Sequence, residues 1–219
     1  MDIFDEPSKK PLPKTPDLYE VRHVALKAVA SLVPGGSELV GLLTSPLAQR
    51  RDDWFEDLER RLRDLEGRVE GFRFDDLRNN EQFISATLQA TQAAIKTHQK
   101  EKLEALRNAV LNVAIGQSPG DDLQLIFLTI IDAFTPKHLQ VLRFLTDRNQ
   151  LTFRLLVAQR ELVDPITNDL HTRGLVKDPR PLEARNGYPP TGLLAVEWEL
   201  TQLGRQFLEF VGAPDRPRT

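Results

Sequence analysis

The chain has 219 residues, 40% hydrophobic and 28% charged, with a net charge of −3. That balance is ordinary for a globular protein and excludes disordered and collagen-like classes. Cysteine is absent, which excludes a disulfide scaffold and a thiolate metal site and fits a cytoplasmic location.

Residues 1–16 (MDIFDEPSKKPLPKTP) carry four prolines and no periodicity, and they read as a flexible arm. The acidic opening lacks the basic start and apolar run of a signal peptide. No stretch approaches the roughly 18 apolar residues of a spanning helix. Asp17 caps a predicted helix from Leu18 to Leu32, with Leu18, Val21, Ala25, Val29 and Leu32 on one face. Pro34-Gly35-Gly36 breaks it, Ser37 caps a short apolar helix (ELVGLLTS), and Pro46 opens the next one in its first turn. That helix extends to Glu66. Trp54, Leu58, Leu62, Leu65 and Val69 form a narrow apolar stripe, either an intermolecular coiled-coil seam or packing within a bundle, with the bundle preferred. Glu56–Arg60, Asp57–Arg61 and Glu59–Arg63 are i,i+4 pairs worth about 0.2–0.5 kcal/mol each.

Gly67 and Gly71, with Phe72 and Phe74 between polar residues, mark a turn pinned to the core. Residues 79–115 follow without Pro or Gly. A first apolar face holds Ile84, Leu88 and Ile95, and a second holds Leu103, Leu106, Val110 and Val113. The polar run between them permits one long helix or two. Leu123, Ile126, Phe127, Ile130, Ile131 and Phe134 lie on the most apolar helix, a central core element.

From Thr135 the grammar changes. Residues 1–135 hold 17 Lys and Arg against 22 Asp and Glu, whereas residues 136–219 hold 12 against 10. This mild basicity falls short of a nucleic-acid footprint. Thr135-Pro136 opens one helix, Leu151–Gln159 is a second, and Asp164-Pro165 opens a third that stops at Gly174. LVKDPRPL and LLAVEWEL read as strands, and TQLGRQFLEFV as a closing helix.

Residues 135–212 resemble winged-helix domains, through ITNDLHTRGLV, the two strands and WELTQLGRQFLEFV. Over residues 100–146, KLEALRNAVLNVAIGQSPGDD, LQLIFLTIIDAF and TPKHLQVLRFL resemble the abortive-infection alpha family of bacterial proteins. That second resemblance implies a phage-defence or stress context. The expected architecture is mainly α: an arm (1–16), an N-terminal helical bundle (17–134), a C-terminal winged-helix domain with a two-stranded β-ribbon (135–212) and a tail (213–219).

No phosphate loop, nucleophile elbow or paired-carboxylate constellation is legible, and His23, His98, His138 and His171 fall apart along the chain. We therefore expect no enzyme, no cofactor and no metal. The expected function is macromolecular recognition by the winged helix, with a protein partner, while the bundle provides self-association or a second interface. A DNA-binding regulator is the alternative: Thr167, Asn168, His171 and Arg173 would face base edges, and Lys177, Arg180 and Arg185 would approach phosphates. Asp164 and Asp169 on the same helix weaken it. A membrane-acting defence effector, using the apolar residues 33–47, is the second alternative, although membrane contact is not expected.

Overall fold

The computed structural model describes residues 36–180 and 197–214. The chain divides into two compact units, Met1–Gln49 and Arg50–Thr219. Of the first, only the start of a helix is described. The arm, the predicted helix from Leu18 to Leu32, Arg185 and most of the predicted ribbon lie outside the described residues.

The fold is mainly helical with one small antiparallel sheet. Helix α1 is Gly36–Glu66, and it continues through Pro46 where a break between two helices was expected. Proline removes one backbone donor, but the strong helix formers on its C-terminal side carry the helix on. Trp54, Leu58, Leu62 and Leu65 of α1 are buried in the core of their own chain, so the stripe is intramolecular packing. Asp57 and Glu59 bond Arg61 and Arg63 at 3.2 and 2.8 Å as expected, whereas Arg60 takes Asp57 instead of Glu56. Gly71 has φ +79°, and Phe72 and Phe74 rest on the core before a 3-10 turn, Phe74–Asn79.

Asn80 caps α2 (Glu81–Lys96) by accepting from the Phe83 N–H at 3.0 Å. Residues 79–115 form two helices: Thr97 is extended (φ −116°, ψ 151°), and α3 is Lys100–Ala114. The Thr97 hydroxyl accepts from the Gln99 N–H at 3.2 Å, a local bond that competes with the helix. The expected apolar face of α2 is corrected. Ala86, Ala90, Thr91, Ala93 and Ala94 are buried, while Ile84 and Leu88 are exposed. Alanine lets α3 come close, and that contact wins over the larger side chains.

Helix α4 (Asp121–Ala133) buries Phe127, Ile130 and Ile131 but leaves Ile126 exposed and Gln124 inside, another departure from the apolar reading. Helix α5 (Pro136–Asp147) begins as expected, with Thr135 and His138 forming a capping box. Helix α6 is Gln150–Val157, capped by Asn149. Helix α7 is Arg160–Thr172 and starts a turn before the expected Asp164-Pro165 cap. Its buried face, Val163, Ile166, Thr167 and Leu170, extends to both sides of Pro165, and its burial outweighs the lost hydrogen bond. Gly174 (φ +73°) ends this segment.

Strands β1 (Val176–Lys177) and β2 (Glu199–Leu200) pair antiparallel, Val176 opposite Leu200 and Lys177 opposite Glu199. The first is shorter than its sequence pattern because Asp178-Pro179 leaves the ladder and Pro179 has no N–H to give. Helix α8 (Gln202–Val211) then packs on α3 and α4. Asn112 on α3 donates to the Phe210 and Gly212 carbonyls at 2.9 and 3.0 Å, and Asn108 donates to Val211 O at 3.0 Å. These two buried amides satisfy carbonyls that the end of α8 would otherwise leave orphaned. One hydrophobic core therefore extends from Trp54 to Val211.

Candidate functional site

Helix α7 is held by a polar bracket at its inner side. The Nδ1 of His138 accepts from the Thr135 N–H at 3.1 Å, so its Nε2 carries the proton and faces Asp169 at 3.4 Å. The ring stacks on Phe134 (centroids 4.5 Å apart), and Arg173 bonds Asp169 at 2.9 Å while lying over the same Phe134 ring. Burial holds the His138 pKa below 6.5, against the opposing pull of Asp169, with Arg173 adding to the depression. A lowered folded pKa means that the unfolded chain binds more protons in the window below 6.5. His138 then contributes stability that is complete above pH about 6.5 and is lost as pH falls through the folded value. The urea midpoint should drop between pH 7 and pH 5 in the wild type and drop less in His138→Asn. Identical pH dependence in both would contradict this assignment.

Six of the seven residues suggested for base and phosphate contact are described, and their surroundings differ. Thr167 is fully buried, its hydroxyl donating to Val163 O at 2.9 Å; its place on the core side of α7 removes it from any outer surface. His171 turns inward, Nδ1 3.1 Å from Val176 O and its ring against Trp198. Asn168 is half-buried, and its carbonyl accepts from the Thr172 hydroxyl. Arg173 is held by Asp169, as above. Lys177 meets Glu199 across the strand pair at 3.2 Å. Arg180 grips the buried carboxylate of Asp178 with Nε and Nη2, at 3.0 and 2.9 Å. Each described cation of the set thus has a carboxylate beside it on the same face, and Arg185 lies outside the described residues.

The neighbouring surface exposes three leucines. On α6, Leu151 and Leu155 are 68% and 52% exposed, and Leu162 in the first turn of α7 is 55% exposed. Arg154 and Arg160 are also exposed there. Sequence reading passed over these leucines. The signal was available: QLTFRLLV places apolar groups all round an eight-residue helix, and such a helix buries only one side. Here Leu156 is buried with Phe153 stacked on Phe144, which leaves the i,i+4 pair Leu151 and Leu155 outside.

Two grooves, of about 1160 and 660 Å³, are each lined by both signs of charge. The larger holds Arg148, Arg205, Glu199 and Glu209; the smaller holds Lys100, Arg107, Arg143, Glu101 and Glu104. Among the described residues no group of three or more His, Asp or Glu side chains could hold a metal ion. No single described helix is long and apolar enough to cross a membrane. Comparison with protein-family models, curated proteins and solved structures found no match to the chain.

Proposed function

We propose that the protein is a non-catalytic recognition module, and that residues 135–212 act as a winged helix that contacts a protein through α6 and the start of α7. The order α5, α6, α7, β1, β2, α8 with an antiparallel strand pair supports that reading of the C-terminal part. The observation that carries the function is a contrast between two adjacent surfaces. Arg173, Lys177 and Arg180 are paired with Asp169, Glu199 and Asp178, whereas Leu151, Leu155 and Leu162 stand in solvent. Phosphate affinity grows with net positive charge and counterion release, which internal ion pairs diminish. Apolar side chains exposed together are what a protein interface covers.

The test compares two variants of the full chain in pull-downs from its source cells. Leu155→Asp is expected to lose the partner while keeping wild-type stability, since an exposed position tolerates the change to within about 0.5 kcal/mol. Joint replacement of Lys177 and Arg180 by Ala is expected to keep the partner. A Leu155→Asp variant that holds its partner as well as wild type would sink the proposal.

A further inference from the structure

A second exposed surface, centred on α2, is independent of the one on α6. Gln82, Gln89 and Lys96 recur every seven residues along one flank of α2. They reach Asp121, the Thr129 hydroxyl (3.1 Å) and Asp132 (3.4 Å) on α4, so α2 and α4 run parallel, side by side. On the opposite flank the Trp54 indole donates to the Thr91 hydroxyl at 3.0 Å, and Arg50 reaches the Ile95 carbonyl, so α1 runs antiparallel there. Between these flanks α2 turns Glu81, Ile84, Ser85, Leu88, Gln92 and Lys96 outward.

That outward strip is unusual for this chain. The outward side of α1 carries Asp52, Asp53, Glu56, Glu59, Arg60, Arg63 and Asp64, whereas no charged residue occurs from Gln82 to Ile95. Leu88, at the middle of α2, is 61% exposed, and Ile84 is 43% exposed, with Phe55 on α1 and Leu125 on α4 also exposed at the borders. Depletion of charge around exposed aliphatic and aromatic groups is the compositional mark of an interface centre. The only charges on α2 are Glu81 at its start and Lys96 at its end.

We propose that this face binds a second copy of the chain, α2 against α2 in antiparallel orientation about a two-fold axis at Leu88. The charges choose this occupant. Reversing one helix on the other lays Glu81 of each copy against Lys96 of the second, twice over, and sets the helix dipoles head to tail. Lys96 is two-thirds exposed even with Asp132 beside it, so its ammonium can accept the second carboxylate. A parallel pairing would oppose like charges at both ends.

Sedimentation of the full chain should give about twice the 24.9 kDa chain mass at micromolar concentration. Leu88→Asp should weaken the dimer by at least about a hundredfold, because it buries an unpaired charge at the interface centre, with the thermal midpoint of the monomer unchanged. The chain has no cysteine, so Leu88→Cys introduces a single thiol. Mild oxidation should convert it to a covalent dimer, because only a residue at the axis meets its own copy within disulfide reach. Leu151→Cys, on the other apolar surface, should stay a monomer on denaturing gels. A chain that is monomeric up to about 100 µM, a Leu88→Asp dimer of wild-type affinity, or equal crosslinking from Leu151→Cys would each overturn the proposal.

Discussion

Among the described residues, Gly204→Ala is expected to be the most damaging single-methyl change. An added Cβ would stand 2.1 Å from the Leu175 carbonyl oxygen and 3.0 Å from its carbon. Both are backbone atoms, so neither can swing away. The same carbonyl accepts the Thr201 N–H at 3.0 Å and the Thr201 hydroxyl at 3.2 Å, and that hydroxyl caps α8 through the Gly204 N–H at 2.9 Å. Moving α8 outward would strain all three bonds at once. The expected loss is about 3 kcal/mol or more, the upper end for overpacking joined to lost hydrogen bonds. Urea denaturation reads it directly, with Gly67→Ala as the control. A Cβ there meets only Asp64 O at 3.6 Å. A Gly204→Ala midpoint equal to that of the control would mean that α8 does not sit this close to Leu175.

The second large effect is expected from Phe127→Ala. Phe127 is fully buried, with Phe207 edge-on at 5.3 Å and Phe210 at 5.7 Å, and Phe207 also meets Phe134 at 5.7 Å. Truncation leaves a cavity under α8 and should cost about 3–5 kcal/mol. Because this cluster joins α4 to α8, the loss should be felt throughout the core. The two tryptophans make that measurable: Trp54 reports from α1, and Trp198 lies beside β2. Single-tryptophan variants should show coincident unfolding midpoints that fall together in Phe127→Ala. Midpoints that separate, with only one of them shifting, would mean two independent cores.

The parts of this fold that were legible in the sequence are those fixed by local chemistry. The Thr135-Pro136 start and the Gly174 stop each depend on groups within a few residues, and each occurs where its residue type predicts. The errors came where tertiary packing overrode a local signal. Pro165 lies inside a helix because the buried apolar face around it continues, and Pro46 lies inside one that strong helix formers carry on. Ile84 and Leu88 look like core residues until α3 is seen to rest on the alanine side of the same helix. The surroundings of the candidate residues were not legible for a related reason. Sequence shows which residues are cationic, but not that Arg180 would close on Asp178 or that Lys177 would find Glu199 across a strand pair, 22 positions along the chain. Thr167 shares the buried face of α7 with Val163, Ile166 and Leu170, which only the packing of that helix reveals.

The measurement bearing most directly on the recognition proposal is a titration of the folded full chain with duplex DNA at about 50 mM salt, where phosphate contacts are strongest. With Arg173, Lys177 and Arg180 held by Asp169, Glu199 and Asp178, the surface they share should give no saturable binding. Saturable binding would contradict the account if its log affinity fell by about 0.9 per phosphate with log salt and if joint replacement of Lys177, Arg180 and Arg185 by Ala flattened that slope. The ribbon, and not the leucines of α6, would then be the surface that recognises the partner.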